Sequence, residues 1–127
     1  GTLFPYTTLF RSVGRDPGRV HFSLHSEAFN HRTGNHVTET HMLPEVLDGF
    51  HTYAMDWDED GFRFSVDGRE LSVFARGDKS GEEEWPFDQP FHLIINLALG
   101  GYMGGELDAS ALPATFEIDE IRVYRRK

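Results

Sequence analysis

The sequence has 127 residues, with 12 Lys and Arg against 21 Asp and Glu, and its formal net charge is −9. This length fits one domain rather than two, since domains most often contain roughly 100 to 150 residues. The negative charge would repel the phosphates of a nucleic acid, and basic residues cluster only at residues 122–127. The absence of Cys excludes a disulfide framework, a thiolate zinc site and a cysteine nucleophile.

The apolar runs are too short for a membrane span. The longest, residues 93–99, is interrupted by Asn96 and is far below the roughly 20 residues that cross a bilayer. We therefore predict a soluble acidic protein that binds neither nucleic acid nor membrane.

The first predicted elements in chain order are short antiparallel strands. Residues 21–24 form a strand candidate and residues 26–47 read as a polar loop. Period-2 alternation is clearest in residues 62–66, where Phe62, Phe64 and Val66 share one face. The dipeptide Asp67-Gly68 that follows is typical of a two-residue hairpin turn. The sequence thus predicts a three-stranded antiparallel meander over residues 50–57, 62–66 and 70–74.

The C-terminal part predicts two more strands after a polar loop at residues 75–84. Residues 91–99 are apolar on both faces, which indicates a central strand covered on both sides. A glycine-rich loop surrounds Tyr102, and residues 115–124 form the last strand candidate. No stretch of ten or more residues has apolar positions at helical spacing, so an α/β fold is disfavoured. These short strands with turns between them predict an all-β sandwich.

Four stretches of the chain are similar to a known family. They are VGRDPGRVHFSLHSEAFNH at residues 13–31, GFHTYAMDWDEDGFRFSVDG at 49–68, WPFDQPFHLIINLALGG at 85–101 and FEIDEIRVY at 116–124. In this order and spacing they resemble the C-terminal half of glycoside hydrolase family 16, especially its laminarinase-like β-1,3-glucanases. The resemblance implies an antiparallel β-jelly-roll sandwich of the concanavalin A-like lectin/glucanase type, truncated at its N-terminal side, with a glucan-binding cleft on its concave face.

The catalytic motif that the resemblance implies is missing. In the laminarinase branch it is a Glu-x-Asp-x-x-Glu strand, which in register would fall at positions 6, 8 and 11 of this chain. Those positions hold Tyr6, Thr8 and Arg11. A retaining glycosidase needs two carboxyl groups roughly 5 to 5.5 Å apart, so we predict that the chain alone is inactive.

The residues around this motif suggest a boundary. Residues 2–12, TLFPYTTLFRS, resemble the conceptual translation of a sequencing adapter. We therefore predict that residues 1–12 are a non-native segment and that residues 13–127 are the C-terminal portion of a family 16 catalytic domain. A natural but unusual N-terminal segment is the alternative.

The resemblance also implies substrate-contacting residues. His25 would point into the cleft, although a histidine that only satisfies a neighbouring strand or loop is the alternative. Gln89 and Asn96 would lie beside the cleft, and a sugar hydroxyl could satisfy an amide buried at Asn96. Tyr102 stands where the family often has Trp, so its stacking on a sugar ring is in doubt. Trp57 and Trp85 are predicted to pack in the core or at its edge.

A metal site is implied only at Asp119, which matches an Asp that helps to hold a structural calcium in many members of the family. Calcium takes roughly six to eight oxygen ligands. Calcium is therefore expected in a full-length member and not with Asp119 alone. Catalysis is predicted to need no cofactor.

Three functions remain open. The first is a fragment of a secreted, retaining endo-β-1,3-glucanase that acts on β-glucan polysaccharide and is monomeric when full length. The second is a non-catalytic glucan-binding jelly roll. The third, an unrelated β-sandwich interaction protein, would require four ordered motif matches by chance. For a fragment we also predict poor folding in isolation, since half a sandwich leaves strand faces and edges uncovered.

Overall fold

The computed structural model describes residues 7–125. The chain divides into two compact units, Gly1–Leu93 and Ile94–Lys127, which we call unit 1 and unit 2. None of the helices within the described residues is long and apolar enough to cross a membrane.

Unit 1 contains two three-stranded antiparallel sheets. Sheet A has the order β1-β2-β3, and sheet B has the order β4-β5-β6. The strands of sheet A are β1 (Thr7–Val13), β2 (Asp16–His25) and β3 (Val37–Met42). Those of sheet B are β4 (Tyr53–Asp58), β5 (Gly61–Val66) and β6 (Arg69–Ala75).

Short helices connect or follow the strands. Unit 1 contains the helix α1 (Gly81–Glu84) and the 3-10 helices Pro44–Leu47 and Pro86–Asp88. Unit 2 contains α2 (Gly101–Gly104) and the 3-10 helix Ala109–Ala111.

The core of unit 1 lies between the two sheets. Phe22 of sheet A packs against Phe64 of sheet B with ring centroids 4.9 Å apart. A polar contact, His41 Nε2 to Ser72 Oγ at 2.9 Å, also joins the sheets. Each fully buried Phe or Leu side chain contributes about 1.5–3 kcal/mol. The buried cluster comprises Val20, Phe22, Leu24, Leu43, Phe62, Phe64, Val66, Phe74, Trp85 and Phe87.

Sheet B confirms the predicted meander. Phe62, Phe64 and Val66 are all buried on one face. The turn after β5 has positive φ at both Asp67 (50°) and Gly68 (77°), the backbone of a type I′ hairpin turn. Strand alternation and turn chemistry therefore agree in this part of the chain.

Sheet A corrects the prediction of a polar loop over residues 26–47. Residues 37–42 form β3, which pairs with β2 from Val37↔Leu24 to Met42↔Arg19. The segment was missed because its sequence, VTETHM, lacks a regular apolar alternation. Within the described chain, β1 also extends into the segment predicted to be non-native, since Thr7 to Ser12 pair with β2.

The two predicted C-terminal strands are wrong for the described chain. Residues 91–99 and 115–124 form no strand, and Leu93 and Ile94 are 62% and 73% exposed. A strand needs a hydrogen-bonded neighbour, and a central strand needs one on each edge. Within residues 7–125 neither segment pairs with another strand. Apolar alternation indicates which side chains a segment could bury, but it does not show whether a neighbouring strand is present to pair with it.

Candidate functional site

The outer face of sheet A carries a row of polar side chains. The register pairs Arg11 with His21, and Ser23 with Thr38, across the three strands. Arg11 Nη2 donates to Ser23 Oγ at 3.4 Å, and Ser23 Oγ lies 2.8 Å from Thr38 Oγ1. Ser23 is fully buried beneath these neighbours. We call this surface, formed by Arg11, His21, Ser23, His25 and Thr38, the polar face.

Burial and positive neighbours keep the histidines of the polar face neutral at pH 7. Burial is the largest cause that lowers the pKa of His25 to about 4, followed by the nearby His36, Arg11 and His31. Burial also lowers the pKa of His21, with further lowering by Arg11 and Arg19. Neutral imidazoles both donate and accept hydrogen bonds, so this face offers groups that suit sugar hydroxyls.

His25 lies under the loop that joins β2 to β3. Its ring stacks on His36 with centroids 5.4 Å apart and meets the edge of His31 at 5.8 Å. Its Nε2 atom is buried and has no hydrogen-bond partner among the described residues. The rings do not form a metal site, since no group of three His, Cys, Asp or Glu in residues 7–125 has suitable geometry.

Asn30 holds this loop together from within. It is 5% exposed, and its Nδ2 donates to the carbonyl oxygens of Ser26 (3.3 Å) and Glu27 (2.7 Å). Its Oδ1 accepts from the backbone N–H groups of Arg32 (2.9 Å) and Thr33 (3.3 Å). The sequence reasoning missed Asn30 and His36. The signal was the pair Asn30 and Asn35 in a short loop, since Asn side chains bond nearby backbone in turns.

The other predicted site residues differ from His25 in being exposed to solvent. Gln89 is exposed in unit 1 and donates to Asp88 Oδ1 at 3.2 Å. In unit 2, Asn96 and Asp119 are exposed and Tyr102 is 96% exposed on α2. Asn96 is therefore not the buried amide of a central strand. In unit 1, the ring of His25 contacts those of His31 and His36, whereas Gln89 bonds to Asp88.

Asp119 does not fit a calcium site in the described chain. It is exposed, and no group of three acidic or other ligating side chains surrounds a common point in residues 7–125. One carboxylate supplies too few of the roughly six to eight oxygens that calcium takes.

The positions of the missing catalytic motif are only partly described. Tyr6 and the side chain of Thr8 lie outside the described residues. Arg11 is half-buried on the polar face, and burial lowers the pKa of its guanidinium. A guanidinium remains charged at neutral pH and is neither a nucleophile nor a proton donor for glycoside cleavage.

The two packed antiparallel sheets and the polar sheet face place the chain in the all-β jelly-roll class. The profile of glycosyl hydrolases family 16 matches residues 10–120. The chain belongs to this family.

The relatives extend beyond the chain. A beta-glucanase of Rhodothermus marinus is 37% identical over 123 residues, which cover 92% of this chain and 43% of that protein. The laminarinase from Flavobacterium sp. UMI-01 superposes with a TM-score of 0.74 at 40% identity, over 83% of this chain and 45% of that one. A mutant of SCLam, a non-specific endo-beta-1,3(4)-glucanase co-crystallised with 1,3-beta-D-cellotriosyl-glucose, gives a TM-score of 0.73 at 35% identity, over 82% and 41% of the two chains. The chain thus spans less than half of the length of each.

Proposed function

We propose that the whole protein is an endo-acting glycoside hydrolase that cleaves β-1,3-linked glucan with retention, and that this chain is the C-terminal part of its catalytic domain. The observation that carries the proposal is the family match over residues 10–120, within which β1 pairs with the strand that bears His25. The beta-glucanase, the laminarinase and the oligosaccharide complex among the relatives support β-glucan as the substrate class.

The chain by itself is proposed to contribute binding and not cleavage. Retention needs a nucleophilic carboxylate and an acid/base carboxyl roughly 5 to 5.5 Å apart. The motif positions hold Tyr6, Thr8 and Arg11, which supply neither. In unit 1, sugar hydroxyls would instead meet the exposed amide of Gln89, and they would reach the buried imidazole of His25 only where the loop of residues 26–36 is open. In unit 2, they would meet the exposed amide of Asn96 and the ring of Tyr102.

Laminarin is the probe that tests both parts of this proposal. The purified 127-residue chain should migrate more slowly in a native gel that contains laminarin and should release no reducing sugar from it. Gln89→Ala removes an exposed amide without opening the core, and Asp78→Ala is a control at another exposed loop residue of unit 1. Loss of one hydrogen bond of about 0.5–1.5 kcal/mol would weaken retention roughly 2- to 10-fold.

Three results would contradict parts of the proposal. Reducing-sugar release by the chain would show that a carboxylate pair exists elsewhere in it. Equal migration with and without laminarin would remove the glucan-binding part. An equal effect of Gln89→Ala and Asp78→Ala would remove Gln89 from the site.

A second candidate is a non-catalytic glucan-binding module. If residues 1–12 are natural, the guanidinium of Arg11 on the polar face, at a position where the motif has a carboxylate, favours it. The coding sequence upstream of the Val13 codon distinguishes the two. An intact Glu-x-Asp-x-x-Glu there supports the enzyme, and its absence supports the module.

We also propose that the protein is secreted and acts as a monomer. The reason is the size of the substrate, since a glucan polymer must be met outside the cytoplasm. Activity of the full-length protein should therefore appear in the extracellular or periplasmic fraction. In size-exclusion chromatography the protein should elute at the mass of one chain.

A further inference from the structure

The loop over the end of β2 covers a histidine that ordinary solvation would leave charged in mild acid. His25 is only 8% exposed, with the ring of His36 stacked on it and that of His31 against its side. We call these residues the histidine cluster. His31 and His36 both belong to the loop of residues 26–36, so the loop itself supplies the cover.

The loop is held in one conformation by side chains that do not titrate near neutral pH. Asn30 bonds four backbone groups within it, and the N–H of Asn30 donates to Asn35 Oδ1 at 3.1 Å. Asn35 Nδ2 returns to the carbonyl of Ala28 at 2.9 Å. The N–H of Ala28 also donates to the carbonyl of Glu83, which ties the loop to α1. The closed loop is therefore a defined state with its own protected amides.

Within the described residues, the groups that shift the pKa of His25 all oppose a positive charge there. His31 and His36 come from the loop, and Arg11 comes from β1 on the other side of β2. Burial adds to their effect, and together they lower the pKa of His25 to about 4. The Nε2 atom has no acceptor among the described residues that would stabilise a proton on it. The closed state thus favours the neutral imidazole.

We propose that the histidine cluster is an acid-sensitive latch, which keeps the loop of residues 26–36 closed over His25 while this imidazole is neutral and releases the loop when it is protonated. The latch is a property of the loop and goes beyond the proposed hydrolysis of glucan. It would couple acidity to the shape of the polar face, because His25 belongs to both.

The sign and size of the effect follow from proton linkage. Opening the loop exposes His25 to water, where its pKa returns toward the ordinary 6.5, so the open state binds the proton more tightly than the closed state, whose pKa is about 4. The opening equilibrium should therefore rise as the pH falls from 6.5 toward 4. The slope is about tenfold for each pH unit.

Hydrogen exchange of the 127-residue chain measures this equilibrium directly. The probes are the loop amides of Phe29, Asn30, Arg32 and Thr33, which donate within the loop. The reference amides are those of Asp67 and Arg76, which donate to the carbonyl oxygens of Thr52 and Asp60 at the ends of sheet B strands. After correction for intrinsic rates, protection at the loop should fall about tenfold per pH unit below 6.5, while the reference amides stay level.

Two variants and one titration complete the test. His25→Gln should make loop protection independent of pH, whereas His51→Gln, at a histidine outside the cluster, should keep the slope. An NMR titration of the unaltered chain should give a titration midpoint of the His25 ring well below pH 6.5. This measurement tests the proposal even if His25→Gln fails to fold. The proposal is overturned by a midpoint at or above 6.5, by loop amides unprotected at neutral pH, by a slope shared with the reference amides, or by a slope that persists in a folded His25→Gln. None of these readings uses glucan, so they stand apart from the proposed function.

Discussion

The two units carry the same kind of sequence pattern and reach different structures. In unit 1, Phe62, Phe64 and Val66 alternate along β5, pair with strands on both edges and are buried. In unit 2, residues 115–124 also alternate, yet they form no strand, and Val123 is 85% exposed. Alternation alone therefore does not make a strand, and a paired and covering neighbour decides whether one forms.

A matched pair of Phe substitutions should separate the units most strongly. Phe22→Ala removes a fully buried ring that contacts Phe64 across the core and His41 within sheet A, whereas Phe116→Ala removes a ring that is 53% exposed. We expect Phe22→Ala to lower the free energy of unfolding by about 3–5 kcal/mol. For Phe116→Ala we expect a change within about 0.5 kcal/mol. Urea unfolding followed by the fluorescence of Trp57 and Trp85, both in unit 1, measures how much each substitution destabilises that unit.

The fluorescence transition also tests the expectation that the chain folds poorly by itself. A broad or absent transition in the unaltered chain would agree with that expectation. Equal losses from the two Phe variants would contradict the difference between the units, because an exposed ring has no cavity to leave.

Two glycines give a second, smaller contrast. A Cβ at Gly61 would lie 2.5 Å from the carbonyl oxygen of Phe74, while one at Gly104 would have no atom within 4 Å. Gly61→Ala must therefore push β5 from β6 and should cost about 1–3 kcal/mol. Gly104→Ala should be neutral or stabilise by at most about 1 kcal/mol, since it restricts the unfolded chain. Thermal unfolding of the two variants side by side checks this, and a larger loss at Gly104 would contradict it.

The sequence predicted best where its signals were local or confined to one hairpin. Residues 62–66 and the turn at Asp67-Gly68 could be predicted because alternation and positive φ are written into those residues. Trp85 in the core and Trp57 at its edge, where Nε1 donates to the Phe87 carbonyl at 2.9 Å, were also predicted correctly. The central strand predicted at residues 91–99 was wrong, because a strand depends on partners that its own residues do not encode.

The candidate site shows the same limit. His25 could be singled out from the resemblance, but its cover by His31 and His36 depends on a loop fold built on the amide of Asn30. Such side chain to backbone bonds need the exact turn geometry, which a single sequence does not specify. The roles of Gln89, Asn96 and Tyr102 in glucan binding stay predictions.

Two aspartates differ in the sequence separation of their hydrogen-bond partners. In unit 1, Asp67 Oδ2 lies 2.7 Å from His51 Nδ1, and its Oδ1 accepts from the N–H of Thr52. In unit 2, Asp108 accepts bonds only two residues along the chain, from the hydroxyl and N–H of Ser110. The bond from His51 is the main cause that lowers the pKa of Asp67, and the same bond raises the pKa of His51. Asp67→Asn keeps a residue that favours the I′ turn and removes only the charge.

The pH dependence of Asp67→Asn has a definite sign. The contribution of His51 is fully present below its unfolded pKa of 6.5 and is lost as the pH rises through its higher folded value. The contribution of Asp67 is present above 3.8 and is lost as the pH falls through its lower folded value. Urea midpoints should therefore differ most from those of the unaltered chain between pH 3.8 and 6.5. Asp108→Asn should leave the unit 1 midpoint unchanged, and a pH-independent effect of Asp67→Asn would contradict the pairing.

Substitution of Tyr102 should affect stability least, so an effect of this substitution on glucan binding can be told apart from an effect on folding. Its ring is 96% exposed on α2 in unit 2. Tyr102→Ala should change the free energy of unfolding by less than about 0.5 kcal/mol, because no packing is lost. If the ring stacks on a pyranose as proposed, retention by laminarin in a native gel should fall, and Tyr102→Phe, which keeps the aromatic face, should restore it. If Tyr102→Ala is retained as strongly as the unaltered chain, the ring does not contribute to binding. If both variants lose retention, the hydroxyl group makes the contact.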